Sequence, residues 1–196
     1  KHFPGHGDTH VDSHRDLPHV DKPRAELERF EFAPFRIAAR AATPAPAVMT
    51  AHIVYPALDP LNPATMSRAI LTGVLREEFG YQGVIITDGM DMHAIAHRYG
   101  VGQAAVNALV AGADMVMAIG TRATQIETVQ AIAAAIRDGV LPLAAVQARL
   151  ARLGKLADAH PAAAVAYVAE QDDRALMARA WRAGLTALRS PQRPER

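Results

Sequence analysis

Three short apolar runs, residues 47–53, 83–88 and 113–120, constrain this chain more than any other feature of its sequence. Each is shorter than an ordinary helix and nearly continuous in apolar residues, the mark of a strand buried on both faces. The stretches between them carry apolar residues three and four positions apart, the period of a helix. Strand and helix therefore alternate, which argues for a parallel α/β architecture. Alternation alone does not separate a closed barrel from an open sheet.

The helical stretches can be placed in order. Asp21-Lys22-Pro23 reads as a helix start capped ahead of the proline, with one helix to about Phe32 and a second piece to Ala42 after an interruption at Pro34. Residues 54–60 read as a loop. Residues 63–80 read as one helix, capped by Ser67, with Ile70, Leu71, Val74, Leu75 and Phe79 on one face and Gly80 as its stop. Two helices follow over 92–98 and 103–111, the first capped by Asp91. Thr121 opens another, which runs through Arg137 with Ile126, Val129, Ile132 and Ile136 on its buried side. Leu143, Val146, Leu150 and Leu153 form a stripe on the next, expected to pack into the core. A last helix over 172–188 turns Leu176, Met177, Trp181 and Leu185 inward. Residues 1–157 form the main domain; residues 158–196 form a linker and a terminal helix.

Composition closes several doors. Half of the 196 residues are apolar, the net charge is +1, and acidic and basic residues are interspersed. That balance argues against a nucleic-acid partner. No apolar run approaches the ~20 residues needed to cross a bilayer. With no cysteine in the chain, disulfides are excluded, and the cytoplasm is the expected compartment. Gly100-Val101-Gly102 follows no strand and completes no dinucleotide fingerprint, so no cofactor is expected.

The chemistry concentrates at the front. His2, His6, His10 and His14 fall four apart, which on a helix would make one metal-binding face. Pro4, Gly5 and Gly7 forbid that helix, so the segment reads as an irregular loop and no metal is expected. In Asp12-Ser13-His14 a carboxylate stands two residues from an imidazole; it can fix the tautomer and leave the other ring nitrogen free for proton transfer. The alternative is a solvated polar turn. At the ends of two apolar runs stand His52 and Asp88. His52 is either a hydrogen-bonded structural histidine or a functional one. A carboxylate at the end of a run such as 83–88 is costly to bury without a partner or a purpose, and Asp88 is either a helix cap or a reactive group.

The string Lys1-His2-Phe3-Pro4-Gly5-His6-Gly7, then Asp12-Ser13-His14, resembles the signature of glycoside hydrolase family 3, in its β-N-acetylglucosaminidase branch. The stretch from Val84 to Met92 resembles the family segment that carries the nucleophile. The resemblance covers the chain to about Lys155. It implies the C-terminal half of a TIM (β/α)8 barrel, a fold of about 250 residues whose first half is expected to lie upstream of Lys1. It implies Asp88 as catalytic nucleophile, His14 as acid/base catalyst paired with Asp12, and Lys1 and His2 as sugar contacts. His52 matches a similar Ala-His, which implies a place beside the substrate. The implied reaction is retaining hydrolysis of terminal β-linked N-acetylglucosamine, as in peptidoglycan fragments, with no metal. Two alternatives stand beside it: a phosphorylase of the same fold, and a catalytically silent truncated remnant. Half a barrel would also leave sheet edges unpaired, which invites self-association.

Overall fold

The computed structural model describes residues 1–9, 17–162 and 171–188, with the side chains of 174–182 in the last stretch. The three apolar runs become a parallel sheet in the order β1 (Ala47–Met49), β4 (Val84–Gly89), β5 (Met115–Met117). Ala47 lies opposite Val84 and Met49 opposite Ile86; Ile86 lies opposite Met115 and Gly89 opposite Met117. The opening segment joins β1 from the other side. Phe3 N–H donates to the Met49 carbonyl at 2.7 Å, and Ala51 N–H donates to the Phe3 carbonyl at 2.7 Å.

Helices connect the strands, as the alternation requires. Ahead of β1 come α1 (Arg24–Arg29) and α2 (Phe32–Arg40). Pro23 is itself the cap of α1, and neither Asp21 nor Lys22 caps it. Pro34 does not break the second piece; it sits in the first turn of α2, where a missing N–H costs nothing. Between β4 and β5 lie α3 (His93–Tyr99) and α4 (Val101–Ala111); α5 (Arg122–Arg137) and α6 (Leu143–Ala159) follow β5. Thr121 caps α5, its hydroxyl accepting from Thr124 N–H at 3.3 Å. Asp91 does not cap α3, whose capping residue is Met92.

The stretch after β1 departs most from expectation. The run 47–53 does not continue as one strand, because its backbone leaves the ladder at Ala51. The Ala51 and Ile53 carbonyls accept instead from Thr65 and Ala64 N–H, at 3.2 and 2.8 Å. Residues expected to be loop form an antiparallel hairpin of β2 (Val54–Tyr55) and β3 (Asp59–Pro63), with the Asp59 carboxylate accepting from Leu61 and Asn62 N–H within β3. The single helix expected over 63–80 is instead a 3₁₀ turn, Ala64–Met66, followed by a π-helix, Ala69–Glu78. Ser67 does accept from Ile70 N–H at 3.3 Å, and Ile70, Leu71, Val74, Leu75 and Phe79 are buried as read.

The core sits between this π-helix, the sheet and α2. Phe3, Phe32, Phe35 and Phe79 meet there with ring centroids 5.2–6.3 Å apart, so the opening segment is anchored by a buried aromatic side chain. Beyond β5 the packing thins. Leu143 and Leu150 of α6 are 63% and 60% exposed, contrary to the core stripe expected of them, and Ile126 and Val129 of α5 are exposed as well. Among the described residues β5 is the edge strand, so the far sides of these two helices meet no further layer.

The chain divides into two units, Lys1–Pro161 and Ala162–Arg196. In the second, α7 (Gln171–Leu188) forms where the helix was read, but Leu176, Met177 and Trp181 are exposed rather than inward. No described helix is long and apolar enough to cross a membrane.

Candidate active site

Parallel sheets gather functional groups at the C-terminal ends of their strands. At that end of β4 stands Asp88, with its side chain about one-fifth exposed. Oδ1 accepts from the N–H of Gly89 at 2.8 Å, which fixes the carboxylate. His2 comes up to it from the opening segment, its Nε2 lying 3.4 Å from Oδ2. Burial lowers the pKa of His2 below its ordinary 6.5, only partly opposed by the Asp88 charge. His2 is therefore largely neutral at pH 7. His6 packs edge-on against the His2 ring at 5.5 Å, and Thr9 Oγ1 lies 3.4 Å from His6 Nδ1.

His52 lies directly beneath. Its side chain is 1% exposed, with Nε2 3.0 Å from the Gly89 carbonyl and Nδ1 2.9 Å from the Thr65 hydroxyl. A carbonyl can only accept, so Nε2 carries a ring proton, while the Thr65 hydroxyl beside Nδ1 donates to the Ala51 carbonyl at 2.9 Å. Burial pushes the pKa of His52 down. His52 thus holds the residue that follows Asp88. Asp91 leans over the same turn: a Cβ built on Gly89 would come within 3.1 Å of its Oδ1, so the backbone there runs close under a carboxylate.

The opening segment is fastened at both ends. Phe3 pairs with β1 on the way out; on the return, Val54 N–H donates to the Pro18 carbonyl at 2.9 Å and Val20 N–H to the Val54 carbonyl at 3.0 Å. The Tyr55 hydroxyl donates to the Gly5 carbonyl. Gly5 has φ +153° and lies so close to Glu31 that a Cβ would meet Glu31 Cγ at 2.7 Å, which explains the glycine. A cleft of about 920 Å³ opens beside the segment, lined in part by Lys1, His2, His6, Lys22 and Glu31, a volume in the range of small-molecule sites.

Of the residues singled out from the sequence, Lys1, His2, His52 and Asp88 gather at this end of the sheet; Asp12 and His14 lie outside the described residues. Among the described residues no three His, Cys, Asp or Glu side chains converge as a metal site. Reading the sequence missed Thr65, Tyr55, Glu31 and Lys22. Of these, Lys22 enters the sequence reading only as part of the helix start Asp21-Lys22-Pro23.

Known proteins bear on this geometry. Residues 1–156 match the glycosyl hydrolase family 3 N terminal domain. Beta-hexosaminidase A of Pseudoalteromonas piscicida is 44% identical over 128 residues, which is 60% of this chain and 21% of that protein. A beta-hexosaminidase of Alkalilimnicola ehrlichii is 44% identical over 117 residues, 60% of this chain and 33% of the relative. The chain thus spans a third or less of the length of these relatives. A glycoside hydrolase family 3 beta-N-acetylglucosaminidase from a Paenibacillus species superposes with a TM-score of 0.82 at 42% identity, covering 87% of this chain and 33% of that one. With four-fifths of its residues inside that domain and its α/β sheet shared with a solved member, this chain belongs to glycosyl hydrolase family 3.

Proposed function

We propose that this chain carries the catalytic face of a retaining β-N-acetylglucosaminidase, and that its parallel sheet is part of a TIM barrel. The observation that carries the reading is the pair of Asp88 and His2: a partly exposed carboxylate at a strand end, its Oδ2 3.4 Å from the imidazole of the opening signature. The beta-hexosaminidase names of the relatives support the substrate class. The β1-β4-β5 order, with helical crossovers between parallel neighbours, is the arrangement a barrel repeats.

In this reading Asp88 Oδ2 attacks the anomeric carbon and the glycosidic C–O bond breaks. The departing oxygen takes a proton from His14, whose ring Asp12 orients. Water then gives a proton to His14 and attacks the same carbon, releasing Asp88. His2 and Lys1 bind the sugar. Because burial keeps His2 neutral near pH 7, it does not pair with Asp88 as an imidazolium and draw off its nucleophilicity.

The test is turnover of a nitrophenyl β-N-acetylglucosaminide by the whole protein and its Asp88→Ala variant, with and without inorganic phosphate. The expected result is free N-acetylglucosamine from the parent in both conditions and none from the variant. Undiminished turnover by Asp88→Ala would sink the assignment. A sugar phosphate as product would replace the hydrolase by a phosphorylase.

A further inference from the structure

The 3₁₀ turn Ala64–Met66, which stands where a helix was expected, lies against the stretch where the chain leaves the β1 ladder. Its Thr65 is fully buried. Thr65 N–H and its hydroxyl both donate to the Ala51 carbonyl, at 3.2 and 2.9 Å. The same Oγ1 lies 2.7 Å from the Thr50 hydroxyl and 2.9 Å from His52 Nδ1. One residue thus meets three consecutive ones.

Two of these contacts lead to the two members of the Asp88 and His2 pair. Ala51 N–H donates to the Phe3 carbonyl at 2.7 Å, and Phe3 follows His2. His52 Nε2 lies 3.0 Å from the Gly89 carbonyl, and Gly89 follows Asp88. The Gly89–Met90 peptide is pinned from its other side as well, because Met90 N–H donates to the Met117 carbonyl at 3.0 Å. Gly89 N–H in turn holds Asp88 Oδ1 at 2.8 Å. Glycine has little stiffness of its own, so these outside bonds set the turn. Thr50, His52 and Thr65 are all buried, and a partner lost there is not replaced by bulk water.

From this geometry we infer that Thr65 is a positioning residue: the joint of a buried chain of hydrogen bonds that sets Asp88 against His2 and aims the carboxylate at a sugar held between them. The inference rests on the reading of Asp88 as nucleophile. Misplacing reacting atoms by about 1 Å can cost about 10²-fold in rate, and loosening one joint should cost part of that.

The experiment follows covalent labelling of the whole protein by a dinitrophenyl 5-fluoro-β-N-acetylglucosaminide, with the labelled residue located by mass spectrometry. In that step the bond from Asp88 Oδ2 to the anomeric carbon forms as the bond to dinitrophenolate breaks, and the leaving group needs no proton. Thr65→Val keeps the size of the side chain and removes its hydroxyl. Its maximal labelling rate should fall about tenfold, while the half-saturating concentration moves less than about twofold. Thr65→Ser restores the hydroxyl and should label within about twofold of the parent. His52→Leu cuts the same chain at Gly89, should be slowed as much, and decides the matter where Thr65→Val melts early. A Thr65→Val rate within twofold of the parent, a Thr65→Ser rate as low as that of Thr65→Val, or a change in half-saturation alone overturns the joint. A parent labelled at a residue other than Asp88 overturns the nucleophile reading instead, so the two failures are told apart.

Discussion

Two carboxylates sit at opposite ends of the same small sheet, and they are treated in opposite ways. Asp114 precedes β5. Its Oδ1 is held by Arg152 Nη2 at 2.7 Å, its Oδ2 by Arg76, and that same oxygen accepts from Ile85 N–H at 2.8 Å. Its own N–H donates to the Ile85 carbonyl at 2.7 Å, so the residue stitches β4 to β5 where both begin. Among the described residues, Asp88 ends β4 with one backbone N–H and the His2 ring at 3.4 Å. The N-terminal carboxylate is saturated by two cations; the C-terminal one keeps an oxygen in reserve. A charge with every partner in place serves the fold, and one with partners missing is available for chemistry.

The largest effect separates these roles at once. Asp88→Ala should lower kcat by about 10⁴-fold or more while moving the unfolding free energy by less than about 0.5 kcal/mol. Steady-state rates and denaturant unfolding on the same preparation read both. A variant that loses stability in step with activity would make Asp88 a second Asp114.

Asp114→Ala should do the reverse. It strands Arg76 and Arg152 and leaves Ile85 N–H unpaired, at a cost of about 3–5 kcal/mol. Activity per folded molecule should be unchanged. A well-folded variant with a tenfold lower rate would show that the two ends of the sheet are coupled.

His52 lies between these extremes, structural in its contacts yet one residue from Asp88. His52→Gln should cost about 1–3 kcal/mol by weakening two buried hydrogen bonds. It also carries a pH signature. Its folded pKa lies below the ordinary 6.5, so below 6.5 the unfolded chain binds the proton that the folded one refuses. The stability tied to neutral His52 is therefore complete above pH 6.5 and is lost as pH falls from there toward the lowered folded value. Melting followed from pH 7 to 5 should show this slope in the parent and a shallower one in His52→Gln; equal slopes would assign the dependence to His2.

The contrast also marks what the sequence could reveal. Asp88 was legible because an apolar run ended in a carboxylate, and local order sufficed to see it. Asp114 sits inside an apolar run of the same kind and was passed over. Its partners, Arg76 and Arg152, are 38 residues away on either side, and nothing local announces them. Glu31 and Lys22 were hidden for the same reason. The hairpin of β2 and β3 was read as loop because prolines at 56, 60 and 63 suppress a strand reading, although only two residue pairs are needed to form it. The alternation of strand and helix survived all of this, since it depends on period alone.

Period alone also misjudged depth, and the smallest effect tests that. Leu75 and Leu150 occupy equivalent places in two apolar stripes, one on the π-helix and one on α6, yet Leu75 is fully buried and Leu150 is 60% exposed. The difference lies in what faces them: the phenylalanine cluster packs beside the π-helix, whereas Leu150 of α6 has no such cluster against it among the described residues. Leu75→Ala should cost about 2–5 kcal/mol, while Leu150→Ser, a harsher change chemically, should stay within about 0.5 kcal/mol in the described chain. Repeating Leu150→Ser in a longer polypeptide sharpens the comparison. A cost that rises above about 1 kcal/mol there would mean that a further layer covers α6, and the stripe would then be core after all.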